Sequence, residues 1–73
     1  LIRKHSVSLH GHKTSFSLED AFFDELKIIA AKRDIALAAL LREVDDDRPA
    51  EMNLSSALRL FVLATLKQQA THH

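Results

Sequence analysis

A period-two alternation of apolar and polar residues over positions 5–18, interrupted only around the chain's single glycine, constrains this sequence more than any other feature. Val7 and Leu9 alternate with Ser6 and Ser8. Beyond His10-Gly11-His12, the residues Thr14, Phe16 and Leu18 alternate with Lys13, Ser15 and Ser17. This is the pattern of two short half-buried strands, at about 5–9 and 13–18. With His10-Gly11 as a two-residue turn, Val7 falls opposite Thr14 and His5 opposite Phe16, while Ser8 meets Lys13 and Ser6 meets Ser15. One face of the ribbon is then apolar and the other polar. A four-residue loop keeps that parity and a three-residue loop destroys it. The same residues also admit a loose arm over 1–10, with the second segment alone as a strand.

After the strands the period becomes helical. Glu19 and Asp20 stand where acids suit the positive end of a helix dipole, and Phe22, Leu26, Ile29 and Ala30 form a core stripe with Phe23 beside it. Lys32-Arg33 closes this first helix, at about 19–33. Asp34 is the expected cap of a second, at about 35–46, carrying Leu37, Leu40, Leu41 and Val44. It ends where Asp45-Asp46-Asp47 sets acids against the negative end of the dipole. After a linker through Met52, Asn53 caps a third helix, at about 54–69. Leu54, Leu58, Phe61, Val62 and Leu66 make one stripe of it, and Leu60 and Leu63 make a second. A helix apolar on most of its circumference needs cover on more than one side. The expectation is a single domain over 1–73, mainly α with an N-terminal β-ribbon, assembled as a homodimer.

Composition supports packing and excludes several classes. Apolar residues make up 47% of the 73, too many for a disordered chain, and one Gly and one Pro leave long uninterrupted helices. So short a chain builds a small core, which favours burial against a second copy. With no cysteine there is neither a disulfide nor a thiolate metal site, as suits a reducing cytoplasm, the expected location. The apolar stretch from Ala57 to Leu66 is interrupted by Arg59 and falls short of the ~20 residues of a membrane span, so no membrane partner is expected. Net charge is zero but unevenly placed. Residues 1–18 carry Arg3, Lys4 and Lys13 without an acid, residues 19–53 carry ten acids against five bases, and residues 54–73 add Arg59 and Lys67. Pairing two copies gathers cationic ends on one surface and turns the acidic middle away from a phosphate backbone. His72-His73, native or the remnant of a purification tag, is left out of the argument.

The run Lys13-Thr14-Ser15-Phe16-Ser17-Leu18-Glu19, leading into a helix with Phe22, Phe23 and Leu26, resembles the ribbon-helix-helix superfamily of Arc-like and methionine-repressor-like DNA-binding proteins. The opening RKHSVSLHGHKTSFSLE, the helix AFFDELKIIAAKRDIALAALLREVD and the closing NLSSALRLFVL together look like a group of short bacterial ribbon-helix-helix domain proteins. The resemblance implies an intertwined homodimer that pairs one strand from each protomer and lays the ribbon in the DNA major groove. Carried onto this chain, it makes Lys13, Ser15 and Ser17 the base-facing residues and turns Thr14, Phe16 and Leu18 to the core. Phosphate contacts are expected from Arg3, Lys4, His12, Ser55, Ser56 and Arg59. The dimer core is expected from Phe16, Leu18, Phe22, Leu26, Leu58, Phe61 and Val62. One departure stands out. The superfamily commonly clamps a phosphate at the N-terminus of the second helix with Ser or Thr, where this chain reads Asp34-Ile35-Ala36-Leu37 and offers only backbone donors.

The expected function is that of a dimeric transcriptional regulator bound to double-stranded DNA. Two alternatives are a dimeric interaction module of the antitoxin type and a nucleoid-associated protein with little sequence preference. No metal is expected, because the spacing of His5, His10 and His12 matches no ligand signature. No cofactor, small-molecule ligand or catalysis is expected either, since so small a chain lacks walls to exclude water and shows no Gly-rich phosphate loop. The alternation itself is testable. Phe16→Ala should cost on the order of 3–5 kcal/mol and unfold the protein. A Phe16→Ala chain with an unchanged thermal melt would put the strand in the opposite register.

Overall fold

A computed structural model describes residues 1–71, so His72 and His73 lie outside the described residues. The strands are β1 (Ile2–Leu9) and β2 (His12–Glu19), followed by helices α1 (Asp20–Lys32), α2 (Leu37–Asp47) and α3 (Leu54–Thr71). β1 and β2 pair antiparallel with Leu9 opposite His12, Val7 opposite Thr14 and His5 opposite Phe16. The turn between them has positive φ at both central residues, 53° at His10 and 78° at Gly11. That is the type I′ geometry, whose twist matches that of the flanking strands. The ribbon therefore closes within one chain, whereas the family pattern takes one strand from each protomer. The backbone N–H of Asp20 bonds the carbonyl of Leu1 at 2.8 Å and carries the pairing to the helix junction.

Residues alternate across a pleated ribbon, so this register sends Leu9, Phe16 and Leu18 to one face, where all are buried. Beneath them lie Leu26, Ile29 and Ala30 of α1, Leu40, Leu41 and Val44 of α2, and Leu54, Ala57, Leu58 and Val62 of α3. Among the described residues no polar or charged residue is buried with them. Phe16, Leu18, Leu26, Leu58 and Val62, expected at a dimer core, are thus buried by their own chain, and Phe22 and Phe61 pack half-buried against the same cluster. Thr14 belongs by parity to the inner face but is exposed. His5 stacks on Phe23, with ring centroids 3.9 Å apart, and on Phe16.

Helix boundaries follow local chemistry. Glu19 ends β2 and is the extended N-cap residue of α1, which starts one residue later than its acids suggest. Asp34 does not cap α2. It takes φ 55° just past α1, with its N–H on the carbonyl of Ala31 and the N–H of Ile35 on the carbonyl of Ala30. This is a Schellman closure with aspartate where glycine usually stands, and Asp tolerates the left-handed region better than most residues. Ala36 is then the N-cap of α2, without a side-chain bond. At the other end of α2, Arg48 bonds Asp45 at 2.7 Å and the carbonyl of Met52 at 2.6 Å, which neutralises an acid at the negative end of the dipole. Asn53 caps α3, its Oδ1 accepting from the N–H of Ser56 at 2.8 Å.

Of the three residues at positive φ, Gly11 and Asp34 predict opposite outcomes. Gly11→Ala adds a Cβ where φ is 78° and should lower stability by roughly 1–2 kcal/mol, although space around the new atom is open. Asp34→Gly should raise stability by a few tenths to about 1 kcal/mol, because glycine adopts that conformation without strain. Denaturant midpoints of the two variants read both, and equal shifts of one sign would contradict the assigned backbone.

Candidate nucleic-acid interface

The outer face of the ribbon is built by parity alone. Cross-strand neighbours there are Lys4 and Ser17, Ser6 and Ser15, and Ser8 and Lys13, with Ile2 and Glu19 at the helix end. Lys4, Ser6, Ser8, Lys13, Ser15 and Ser17 are all exposed. Lys4, Ser6, Ser8, Lys13 and Ser15 border a shallow open depression on this face. Four residues of strand separate the level of Lys4 from that of Lys13, so the two ammonium-bearing side chains bracket a field of serine hydroxyls ~14 Å long. Among the described residues neither lysine is paired with an acid. Lys13, Ser15 and Ser17 thus share one face, joined by Lys4, Ser6 and Ser8 from β1. Sequence reasoning missed Ser6 and Ser8 as candidates, although the hairpin parity already puts them there.

The remaining candidates divide. Arg3 belongs to the inner face and bonds Asp20 of α1, with Nε 3.0 Å from Oδ1. His12 lies on that inner face too, exposed beside the turn. Ser55 and Ser56 form the first turn of α3, which reaches the ribbon because the Ser55 hydroxyl donates to the carbonyl of Ser17 at 2.6 Å. Arg59, one turn further on, forks onto Glu19 at 2.8 and 3.3 Å. Its partner is the one acid on the outer face, so Arg59 neutralises a charge that would repel phosphate and is itself taken up. The Arg59 hydrogen bonds hold the Glu19 carboxyl below its ordinary value, aided by a backbone bond. On the opposite side, Arg33 grips Glu43 at 2.6 and 3.1 Å, which ties the end of α1 to α2. That contact lowers the Glu43 carboxyl and raises the Arg33 guanidinium.

The three N-terminal histidines are not gathered into one ligand set. His5 lies in its aromatic stack, and His10 bonds Asp46 at 2.5 Å. Donor atoms of His10, Asp45 and Asp46 lie within 4.8 Å of one another, but Asp45 already holds Arg48 and Asp46 holds His10, so each carboxylate has a partner.

The ribbon-helix-helix domain family model matches residues 2–66, nearly the whole chain. The chain belongs to the ribbon-helix-helix family. That family is a non-enzymatic DNA-binding fold whose members are commonly regulators or antitoxins and typically bind DNA as dimers. Searches of curated proteins and of solved structures found no match. No helix among the described residues is long and apolar enough to cross a membrane.

The two carboxylates predict an acid limb of stability. Each has a folded value below the ordinary 4.5, so each stabilises the fold above 4.5 and loses that contribution as pH falls through its lowered value. Glu43→Gln should lower the melting temperature at about pH 6 and narrow the gap to wild type toward about pH 3. Parallel melting curves over that range would show that the Arg33–Glu43 pair adds nothing to stability.

Proposed function

We propose that this protein is a dimeric DNA-binding transcriptional regulator in which each protomer lays its own hairpin in the major groove, outer face toward the bases. The observation that supports this is the exposed outer face, with Lys4 and Lys13 free of acids around a field of serines. The major groove is ~12 Å wide and admits a two-stranded ribbon, and strands ~4.8 Å apart fit it with room for side chains. Serine hydroxyls donate to or accept from base edges, and the lysines reach base edges or phosphate. The start of α3, beside Ser17, adds free backbone donors, the Ser56 hydroxyl and the positive end of a helix dipole for a flanking phosphate, the Ser55 hydroxyl being spent on the Ser17 carbonyl. Arg3, turned inward to Asp20, and Arg59, held by Glu19, support the interface instead of touching DNA.

A second reading has one observation in its favour. The outer face carries no Arg, Asn or Gln, the side chains that discriminate bases best, and serine accepts either kind of partner. Such a face suits a nucleoid-type protein with low sequence preference.

One experiment separates these readings. If Lys13 contacts phosphate, Lys13→Ala should weaken binding to all DNA and shrink the slope of log K against log salt by roughly 2 per dimer, at about 0.9 per contact. If Lys13 contacts base edges, the loss falls on the preferred site, at roughly 1–3 kcal/mol for each good contact. Near-equal affinity of the wild-type protein for unrelated duplexes selects the nucleoid-type reading. A folded Lys13→Ala, Ser15→Ala, Ser17→Ala chain with unchanged affinity and salt slope removes the ribbon from DNA recognition.

A further inference from the structure

We infer that Arg59 is a positioning residue for DNA binding: by holding Glu19 it keeps the Lys4 ammonium free for DNA, and so sets affinity without touching DNA itself. The inference rests on the reading of the ribbon's outer face as the DNA contact.

The register puts Glu19 beside a cation it would otherwise quench. Glu19 lies on the outer face opposite Ile2, and the next outward pair along the ribbon is Lys4 with Ser17. Lys4 is therefore the diagonal neighbour of Glu19 across the strands, at ~7–8 Å, a separation that long side chains span. Opposite charges so placed attract, yet these two are not paired. Among the described residues Lys4 is exposed and makes no ion pair, while the Glu19 carboxylate takes a fork from Arg59, Nε at 2.8 Å and Nη2 at 3.3 Å.

Arg59 takes the acid for two reasons. Its planar guanidinium meets both carboxylate oxygens at once, whereas a lysine ammonium meets a carboxylate as a point charge. It also comes from a fixed element, one turn after Ser55 in α3, and the Ser55 hydroxyl ties that first turn to the Ser17 carbonyl of β2 at 2.6 Å. The fork is the main reason the Glu19 carboxyl lies below its ordinary value, so both partners stay charged at neutral pH.

Together Glu19 and Arg59 cancel, and the ribbon keeps Lys4 and Lys13 as cations for DNA. Without the Arg59 charge, the Glu19 carboxylate, whose side chain is 35% exposed, is open to Lys4. One cation of each protomer is then lost to phosphate neutralisation.

Arg59→Gln tests this, because glutamine removes the charge and suits a helix nearly as well as arginine. With a mixed-sequence DNA duplex, the slope of log K against log salt should shrink by about 0.9 for each protomer, and binding at low salt should weaken at least roughly fivefold. Adding Glu19→Gln should restore both, since the acid that captures Lys4 is gone. A double variant as weak as Arg59→Gln would mean that Arg59 contacts phosphate directly and would overturn the inference, as would an Arg59→Gln chain with the wild-type slope. Carbon NMR of the Glu19 carboxyl reads the same relation without DNA. Lys4→Ala should raise the titration midpoint of Glu19 in the Arg59→Gln chain and leave it in place where Arg59 is present. A midpoint indifferent to Lys4 in both backgrounds overturns the inference. The expected dependence on Lys4 in a protein without affinity for DNA would instead refute the DNA reading and leave the hold of Arg59 on Glu19, and its release of Lys4, standing.

Discussion

Because β1 and β2 are joined by only two residues, the register of one strand against the other has no freedom, and the rest of the molecule is arranged around that register. His10 and Gly11 both take positive φ, so the turn is type I′ and the strands leave it already twisted to match. Counting back from the turn sets Leu9, Phe16 and Leu18 inward and Lys4, Ser6, Ser8, Lys13, Ser15 and Ser17 outward. A slip of one residue would put Phe16 in water and a lysine over the helices. The packed core and the polar face are therefore two readings of one pairing.

The helices hold this ribbon from below and, in α3, also from the side. Ser55 bonds the backbone of β2, and Arg59 holds Glu19 where strand becomes helix. These two contacts anchor the third helix to the ribbon and screen the one acid of its outer face. The arrangement explains how a chain of zero net charge presents a cationic surface. Among the described residues, six of the ten acids are taken up in pairs, Glu19 with Arg59, Asp20 with Arg3, Asp24 with Lys27, Glu43 with Arg33, Asp45 with Arg48 and Asp46 with His10, while Lys4 and Lys13 make no such pair.

Much of this was legible in the residues. The alternation around Gly11, read with His10-Gly11 as a turn, matched the observed strand pairing, and the helical stripes located the core, because periodicity reports which side of an element is buried whatever that element packs against. Asp34 was harder to read. An aspartate before an apolar run has the look of an N-cap, and only the backbone shows it closing the preceding helix in the left-handed conformation. Arg3 and Arg59 were likewise ambiguous, since a basic residue is a phosphate contact or half of an ion pair according to which acid lies beside it. Both partners are distant in sequence, seventeen residues away for Arg3 and forty for Arg59.

By itself, then, the sequence determined the two faces of the ribbon and the register that a hairpin would take, since these depend on contacts between near neighbours and on a turn that few residues accept. It also showed that α3 has more apolar surface than one side can use. Only the tertiary structure decided which of those apolar residues the protomer covers, leaving Leu60, Leu63 and Leu66 outside, and that both strands of the ribbon come from one chain. The physical reason is that periodicity encodes burial but not the identity of the covering element. That depends on how far the connections let each helix travel, and Ser55 on Ser17 is where α3 arrives.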